Sequence, residues 1–145
     1  KKVQENFTPF LGICVGMQML ATRGYEHGTF EGLDWIEGEV KKIIKKRIDL
    51  KIPHMGWNNL SIKKETPFVK RLKTKVNLNK ATAYFVHSYN FSTLNKDELI
   101  MTTNYEQQIA AMVEKNNIIG TQFHPEKSHF FGLAFLETFL ECENL

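Results

Sequence analysis

Short apolar runs separated by polar turns dominate the chain, and the first run is the most informative. Residues 9–13 form a compact apolar segment, which predicts a buried strand. Apolar residues then recur with helical spacing over 17–21, so this strand is predicted to lead directly into a helix. The residues at the junction, 12–16, have the sequence GICVG. This pattern predicts a tight strand-to-helix turn with Cys14 at its tip.

The hydrophobic pattern after this turn is typical of a mixed α/β protein. Alternating and β-rich segments predict short strands at 35–44, 57–63, 81–87, 98–103, 108–114 and 118–123. The segment 53–56 is predicted to be a turn. Because short strands outnumber helices after the junction, we expect an antiparallel extension attached to a parallel sheet.

Two later helices are predicted. Thr66 followed by Pro67 is typical of a helix N-cap and first helical position. The last helix is expected at 130–142. Its apolar stripe is predicted to consist of Leu133, Leu136, Phe139 and Leu140.

Composition narrows the functional classes. The chain has 145 residues, 42% of them hydrophobic and 24% charged, as expected for one globular domain over 1–145. No apolar run approaches the roughly 20 residues that span a bilayer, so no membrane association is expected. The two cysteines, Cys14 and Cys142, lie near opposite ends and predict no disulfide framework, which favours the cytoplasm. The basic run at 41–47 lacks aromatics, and with a net charge of +3 it argues against nucleic-acid binding.

The GICVG turn has the sequence requirements of a nucleophile elbow. A residue at the tip of such a turn is strained, and Gly12 and Gly16 are expected to allow the flanking chain to pass close by. Cys14 at a helix N-terminus is expected to favour the thiolate. The Val15 N–H would donate to an oxyanion, and Gln18 would lie one helical turn above Cys14. An ordinary buried cysteine beside a glycine-rich turn is the alternative.

A second chemical element is the segment 122–128, with the sequence QFHPEKS. A residue before proline is extended, so His124 and Glu126 should project to the same side, with the carboxylate oriented toward the imidazole. Alone, this segment could be a surface turn. Paired with a cysteine elbow, it favours a Cys14–His124–Glu126 set at the carboxyl edge of a sheet. The cysteines and histidines show no metal-ligand spacing, so no metal is expected.

The position of the elbow strand leads to a further expectation. Only eight residues precede the strand at 9–13, whereas a central strand of an α/β sheet needs neighbours on both sides. We therefore expect the chain to be the C-terminal part of a longer protein. Residues 1–145 made alone are expected to be poorly soluble or inactive.

These motifs together resemble a known family. The segments GICVGMQ and QFHPEKS are similar to the class I, triad-type glutamine amidotransferases. The segments PHMGWN at 53–58 and YFVHSY at 84–89 resemble the glutaminase subunits of imidazole glycerol phosphate synthase within that family. The resemblance implies a glutamine amidotransferase-like, flavodoxin-like α/β fold whose N-terminal strands are missing from this chain.

The resemblance also implies a reaction and its residues. Cys14 would be the nucleophile, His124 the acid and base, and Glu126 its orienting partner. Gln18, Ser88 and Tyr89 would bind L-glutamine, and Trp57 would face a cyclase subunit with a (β/α)₈ barrel. Ammonia from glutamine hydrolysis would pass to this cyclase for imidazole glycerol phosphate formation in histidine biosynthesis, without a cofactor. The family's Pro-Gly-rich loop, which supplies a second oxyanion donor, has no match here.

Three alternatives stay open at this point. The chain could be a glutaminase of the same class serving a different synthase, including a paralogue outside histidine synthesis. It could be a cysteine peptidase or related hydrolase built on a similar elbow. It could also be a non-catalytic docking module.

Overall fold

The chain folds into a mixed α/β structure, described by a computed structural model for residues 1–45 and 47–142. Its helices and strands, in chain order, are α1 (Lys2–Glu5), β1 (Phe10–Ile13), α2 (Val15–Gln18), β2 (Arg23–Gly24), β3 (Phe30–Glu31), β4 (Gly38–Lys42), β5 (His54–Asn59), β6 (Ser61–Ile62), α3 (Pro67–Lys75), β7 (Thr82–His87), β8 (Tyr89–Thr93), β9 (Leu99–Asn104), β10 (Gln108–Lys115), β11 (Ile118–Thr121) and α4 (His129–Leu140). Single 3-10 turns occur at Leu78–Lys80, Lys96–Glu98 and Pro125–Lys127.

The largest sheet combines parallel and antiparallel pairing, as predicted. Its strand order is β1-β11-β10-β9-β6. Strands β1 and β11 are parallel, with Ile13 opposite Thr121, and the other neighbours are antiparallel. The carboxyl ends of β1 and β11 therefore lie side by side, and this edge carries both chemical motifs.

Two smaller sheets complete the fold. One has the order β3-β2-β4-β8, and the other pairs β5 with β7. The short strands β2 and β3 lie within the segment after α2 that contains no predicted strand. No helix in the described ranges is long and apolar enough to cross a membrane.

Both faces of the large sheet are buried. On one face Ile119 packs with the apolar sides of α3 and α4, represented by Leu72 and Phe135. On the other face Ile118 packs in a second cluster with Met17 of α2 and Phe91 of β8. Burial on both faces explains why β11 has a continuous apolar sequence instead of an alternating one.

The two later helices differ in how well their sequences predicted them. Thr66 is the N-cap of α3 and accepts a hydrogen bond from the Val69 N–H at 3.3 Å, so that prediction is confirmed. The predicted stripe on α4 is wrong, because Leu133 and Leu140 are exposed. The helix instead buries Phe131, Ala134, Phe135 and Thr138. Since α4 is apolar on nearly every side, its periodicity does not distinguish the face that meets the sheet.

Two predictions near the candidate site are also wrong. The segment 53–56 is not a turn, because His54 already begins β5. Proline lacks an N–H and is tolerated where a strand begins, so Pro53 marks the entry to the strand. The helix after Cys14 ends at Gln18. The predicted helical spacing over 17–21 therefore extends too far. The N–H groups of Leu20 and Ala21 donate to carbonyls three residues back instead of four, and the next carbonyls, of Met19 and Leu20, accept from the loop that follows.

Candidate active site

Cys14 sits in the strained conformation that the sequence predicts. Its φ is 53° and its ψ is −108°, between the end of β1 and the start of α2. Positive φ is uncommon for a residue with a side chain and is maintained only by its surroundings. The Cys14 N–H donates to the Thr121 carbonyl at 2.7 Å, which fixes the turn to the end of β11.

The two glycines that flank this turn have different roles. A Cβ on Gly12 would lie 2.6 Å from the Gly16 carbonyl oxygen and 2.7 Å from the Gly16 carbonyl carbon. A Cβ on Gly16 would meet nothing within 4 Å. The prediction that both glycines permit a close approach is therefore correct for Gly12 and wrong for Gly16. The side chain must be absent on the strand side of the turn, where it would point at backbone.

The Cys14 sulfur faces hydrogen-bond donors and one acceptor. The Gln122 Nε2 lies 3.6 Å from it, and the Val86 carbonyl lies 3.9 Å from it. Burial raises the pKa of the Cys14 thiol, although N–H groups of Val15 and Gln122 lower it. The expectation that the helix N-terminus favours a thiolate is therefore wrong for the resting structure. Burial dominates, and α2 has only 4 residues.

His124 and Glu126 contact each other as predicted. The Nδ1 of His124 lies 2.7 Å from Oε1 of Glu126, and the extended ψ of 100° at His124 follows from the proline after it. Because a carboxylate accepts, Nδ1 carries the hydrogen, and the neutral ring has an unprotonated Nε2. This Nε2 is buried and has no hydrogen-bond partner among the described residues.

Cys14 and the His124–Glu126 pair lie at the same edge of the sheet. Cys14 follows β1, and His124 follows the adjacent parallel strand β11 by three residues. The negative charge of Glu126 acts on Cys14 and opposes its thiolate. The structure thus places the three residues of the predicted set at the carboxyl ends of neighbouring parallel strands.

Gln18 and Tyr89 are also brought together. The Gln18 Nε2 donates to the Tyr89 carbonyl at 3.4 Å and to Oε1 of Gln122 at 2.9 Å. Ser88 joins β7 to β8, and its carbonyl accepts from the Ile43 N–H at 2.9 Å. Gln18 therefore anchors the start of β8 beside the elbow.

Two buried histidines, which the sequence left without a role, form a hydrogen-bonded chain toward Tyr89. His54 Nδ1 lies 3.0 Å from His87 Nε2, and His87 Nδ1 lies 2.7 Å from the Tyr89 carbonyl. At the other end, Asn58 Nδ2 lies 3.3 Å from His54 Nε2 and donates to the Asn104 carbonyl. We call Asn58, His54, His87 and the Tyr89 carbonyl the histidine chain.

The Tyr89 carbonyl at one end of the histidine chain determines which ring nitrogens carry hydrogen. The Tyr89 carbonyl only accepts, so His87 Nδ1 carries a hydrogen and His87 Nε2 accepts. His54 must then donate through Nδ1 and accept from Asn58 through Nε2. Burial lowers the pKa of both His54 and His87 to about 4, which keeps both rings neutral. Along the histidine chain, Asn58 therefore donates to His54, His54 to His87, and His87 to the Tyr89 carbonyl.

A groove lies beside the elbow. Its volume is about 440 Å³, and its lining includes Val15, Gln18, Glu26, Glu31 and Leu33. Neither carboxylate was predicted from the sequence, because both lie in the segment 25–32, which carries no recognisable motif. The groove thus combines apolar and negatively charged side chains beside Val15 and Gln18, which follow Cys14 in the chain.

Trp57 is a partly exposed residue in the second half of β5. It is 46% exposed, and its ring stacks on that of His129 with centroids 4.7 Å apart. Its neighbour across the strand pair is Tyr84, at 5.9 Å between centroids. Within residues 1–45 and 47–142, no group of three or more His, Cys, Asp and Glu side chains could hold a metal ion.

The chain matches the family model described as glutamine amidotransferase class-I over residues 1–141. It belongs to the class I glutamine amidotransferase family. Curated relatives support this membership. The imidazole glycerol phosphate synthase subunit HisH of Rhodopseudomonas palustris is 48% identical over 139 residues, covering 96% of this chain and 63% of that protein. The same subunit of Pelagibacter ubique is 48% identical over 135 residues, covering 93% of this chain and 62% of that protein.

Solved structures support the class I glutamine amidotransferase fold. A glutamine amidotransferase from Thermotoga maritima has a TM-score of 0.60 at 17% identity, covering 97% of this chain and 50% of that chain. The glutaminase domain of Trypanosoma brucei CTPS has a TM-score of 0.60 at 16% identity, covering 99% of this chain and 64% of that chain. Such likenesses concern the fold alone. The chain spans less than two thirds of the length of the curated relatives named above.

Proposed function

We propose that this protein hydrolyses L-glutamine to glutamate and ammonia through a thioester on Cys14. The observation that carries the proposal is the placement of Cys14, in a strained elbow, beside the end of the strand that leads to the His124–Glu126 pair. A nucleophile next to an oriented base is the arrangement that acyl transfer requires. The description of the matching family model, glutamine amidotransferase class-I, supports glutamine as the substrate.

Proton transfer starts the reaction. Because burial raises the pKa of Cys14, the resting residue is a thiol, and attack requires that its proton move to a base. His124 Nε2 is suited to this role, since it is unprotonated, buried and without another partner among the described residues. Glu126 holds the opposite nitrogen and stabilises the imidazolium that forms.

The sulfur then bonds to the side-chain amide carbon of glutamine. The resulting oxyanion accepts from the Val15 N–H, which in the resting structure lowers the pKa of Cys14. His124 gives its proton to the leaving nitrogen, and ammonia departs as the thioester forms. Water, deprotonated by His124, attacks the thioester carbon and releases glutamate and the Cys14 thiol.

The amino-acid end of glutamine is proposed to occupy the groove beside the elbow. Gln18 lines it, and Glu26 and Glu31 supply negative charge for an α-ammonium group. Ser88 and Tyr89 are proposed as further substrate-binding residues, at the junction of β7 and β8 next to Gln18.

The partner is proposed to be a (β/α)₈-barrel cyclase that receives the ammonia for imidazole glycerol phosphate formation in histidine biosynthesis. The relatives are named as synthase subunits, which supports a partner. Trp57 and Met55 are exposed apolar residues on one face of β5, and Phe130 shares a surface cavity with Trp57. Such a patch is typical of a protein interface. A cytoplasmic location is supported by the free thiols of Cys14 and Cys142.

The test measures glutamate release from glutamine by the purified protein, with and without the cyclase. Cys14→Ser is expected to lower the rate at least about a thousandfold, because the triad acts as a unit. Cys142→Ser makes the same change at the second cysteine and is expected to retain the rate. Peptide hydrolysis without glutaminase activity would indicate a peptidase, and cyclase binding without hydrolysis a docking module. Stimulation only by another synthase would reassign the pathway.

A further inference from the structure

Gln122 is a fully buried polar residue between β11 and His124. Its main-chain N–H donates to the Ala111 carbonyl at 2.9 Å, which fixes its backbone against β10. Its side-chain amide lies between Gln18 on one side, at 2.9 Å, and the Cys14 sulfur on the other, at 3.6 Å. Burying a side-chain amide destabilises a fold unless its N–H and C=O groups are hydrogen-bonded, so these two contacts determine whether Gln122 is tolerated there.

The hydrogen-bonding partners determine the orientation of this amide. The Tyr89 carbonyl can only accept, so Gln18 must direct its NH₂ group toward it. That same NH₂ group contacts Gln122, which must therefore present its oxygen to Gln18. Only the NH₂ group of Gln122 is then left to face the Cys14 sulfur. The Tyr89 carbonyl is itself held by the donor from His87 at 2.7 Å.

We propose that Gln122 is a catalytic residue whose amide N–H stabilises the Cys14 thiolate, and that Gln18, through the Tyr89 carbonyl, keeps that N–H pointed at the sulfur. The proposal deepens the proposed function, since it takes Cys14 as the nucleophile. As a thiol, Cys14 can donate to the Val86 carbonyl at 3.9 Å and gains little from Gln122. As a thiolate, it accepts from Gln122, and hydrogen bonds to charged groups are the stronger ones.

The other groups around the sulfur do not make this donor redundant. Glu126 opposes the thiolate, whereas Lys127 favours it. His124 and His87 are the titratable rings on the adjoining segments, and burial keeps His87 neutral. Burial is the largest influence on Cys14 and opposes its ionisation. The loss of one of the N–H donors is therefore expected to reduce the thiolate fraction measurably.

The test follows alkylation of Cys14 by iodoacetamide as a function of pH, with mass mapping of the modified residue. Only the thiolate reacts, so the midpoint of this profile reports ionisation without requiring glutamine. In Gln122→Met, which keeps the shape but removes the amide, Cys14 alkylation at pH 7 is expected to slow about tenfold, with the midpoint raised by about one unit. Gln122→Asn, which withdraws the amide by one methylene, should shift the midpoint in the same direction.

Two references make the result specific. Cys142 in the same protein should show an unchanged profile, and Gln108→Met makes the same substitution at an exposed position on β10. Circular dichroism identifies which Gln122 variants are folded. An unchanged or lowered Cys14 midpoint in either folded Gln122 variant would overturn the proposal. A raised midpoint supports it even if the protein fails to hydrolyse glutamine, so this result is separate from the fate of the proposed function.

Discussion

Replacing Gly12 with alanine isolates the steric requirement of the elbow. The added Cβ would lie 2.6 Å from the Gly16 oxygen and 2.7 Å from the Gly16 carbon. Both atoms belong to the backbone, so no side-chain rotation relieves the overlap and the turn itself must move. Overpacking of this kind typically costs about 1–3 kcal/mol, and we expect Gly12→Ala to lie at the upper end of that range.

Gly16→Ala is the matched control for this prediction. It makes the same chemical change on the other side of Cys14, where a Cβ meets nothing within 4 Å. Gly16 lies in α2, and alanine in a helix is more favourable than glycine by about 0.5–1 kcal/mol. The two variants should therefore differ in free energy of unfolding by about 3–4 kcal/mol.

Urea unfolding followed by tryptophan fluorescence measures this difference, because Trp35 and Trp57 report on separate parts of the fold. The urea midpoint for Gly12→Ala should fall, with the slope against urea unchanged, while the midpoint for Gly16→Ala should rise slightly. If Gly12→Ala is as stable as Gly16→Ala, the close approach of Gly12 to the Gly16 carbonyl does not constrain the turn, and the elbow does not require glycine at position 12.

Two further predictions concern stability. Burial lowers the pKa of His54 and His87 to about 4 in the folded protein, whereas the ordinary pKa of histidine is about 6.5. Between these two pH values the two side chains bind protons in the unfolded chain but not in the folded one. The free energy of unfolding should therefore fall as the pH falls from about 6.5 toward 4, by about 2 kcal/mol per ring at pH 5. Urea unfolding at several pH values should show a weaker pH dependence for His54→Gln than for the parent. An equally steep dependence in the variant would contradict this prediction. Thr66→Ala should destabilise the fold by about 1–2 kcal/mol, because Thr66 caps α3 and also donates to Glu114 at 2.8 Å. Thr66→Ser keeps both hydrogen bonds and should show little change in thermal unfolding, so equal losses in the two variants would count against the cap.

Local chemistry made several features predictable from the sequence. The strained turn at Cys14, the Thr66 cap and the His124–Glu126 contact each depend on residues within a few positions of one another. Proline fixes the extended conformation before it, and glycine removes a side chain where backbone approaches backbone. The pairing of β9 with β10 was predictable for the same reason, since one short turn joins them.

Features that depend on distant contacts were not predictable. The ionisation of Cys14 is governed by burial, which the local sequence does not reveal. Gln122 contacts Gln18 and Cys14, which are more than a hundred residues away along the chain. His54 was placed in a turn because Pro53 precedes it, yet the fold buries it against Phe85 in the neighbouring strand.

The one-directional order of the histidine chain limits how its sequence can change over time. Each ring nitrogen of His54 and His87 has a single assigned role, either donor or acceptor. Replacing one ring leaves the other with an unpaired nitrogen in the protein interior. A substitution at only one of the two positions is therefore expected to destabilise the fold. The two positions are therefore expected to vary together among homologous sequences, as a His-His pair or as a jointly apolar pair, and rarely as a mixture.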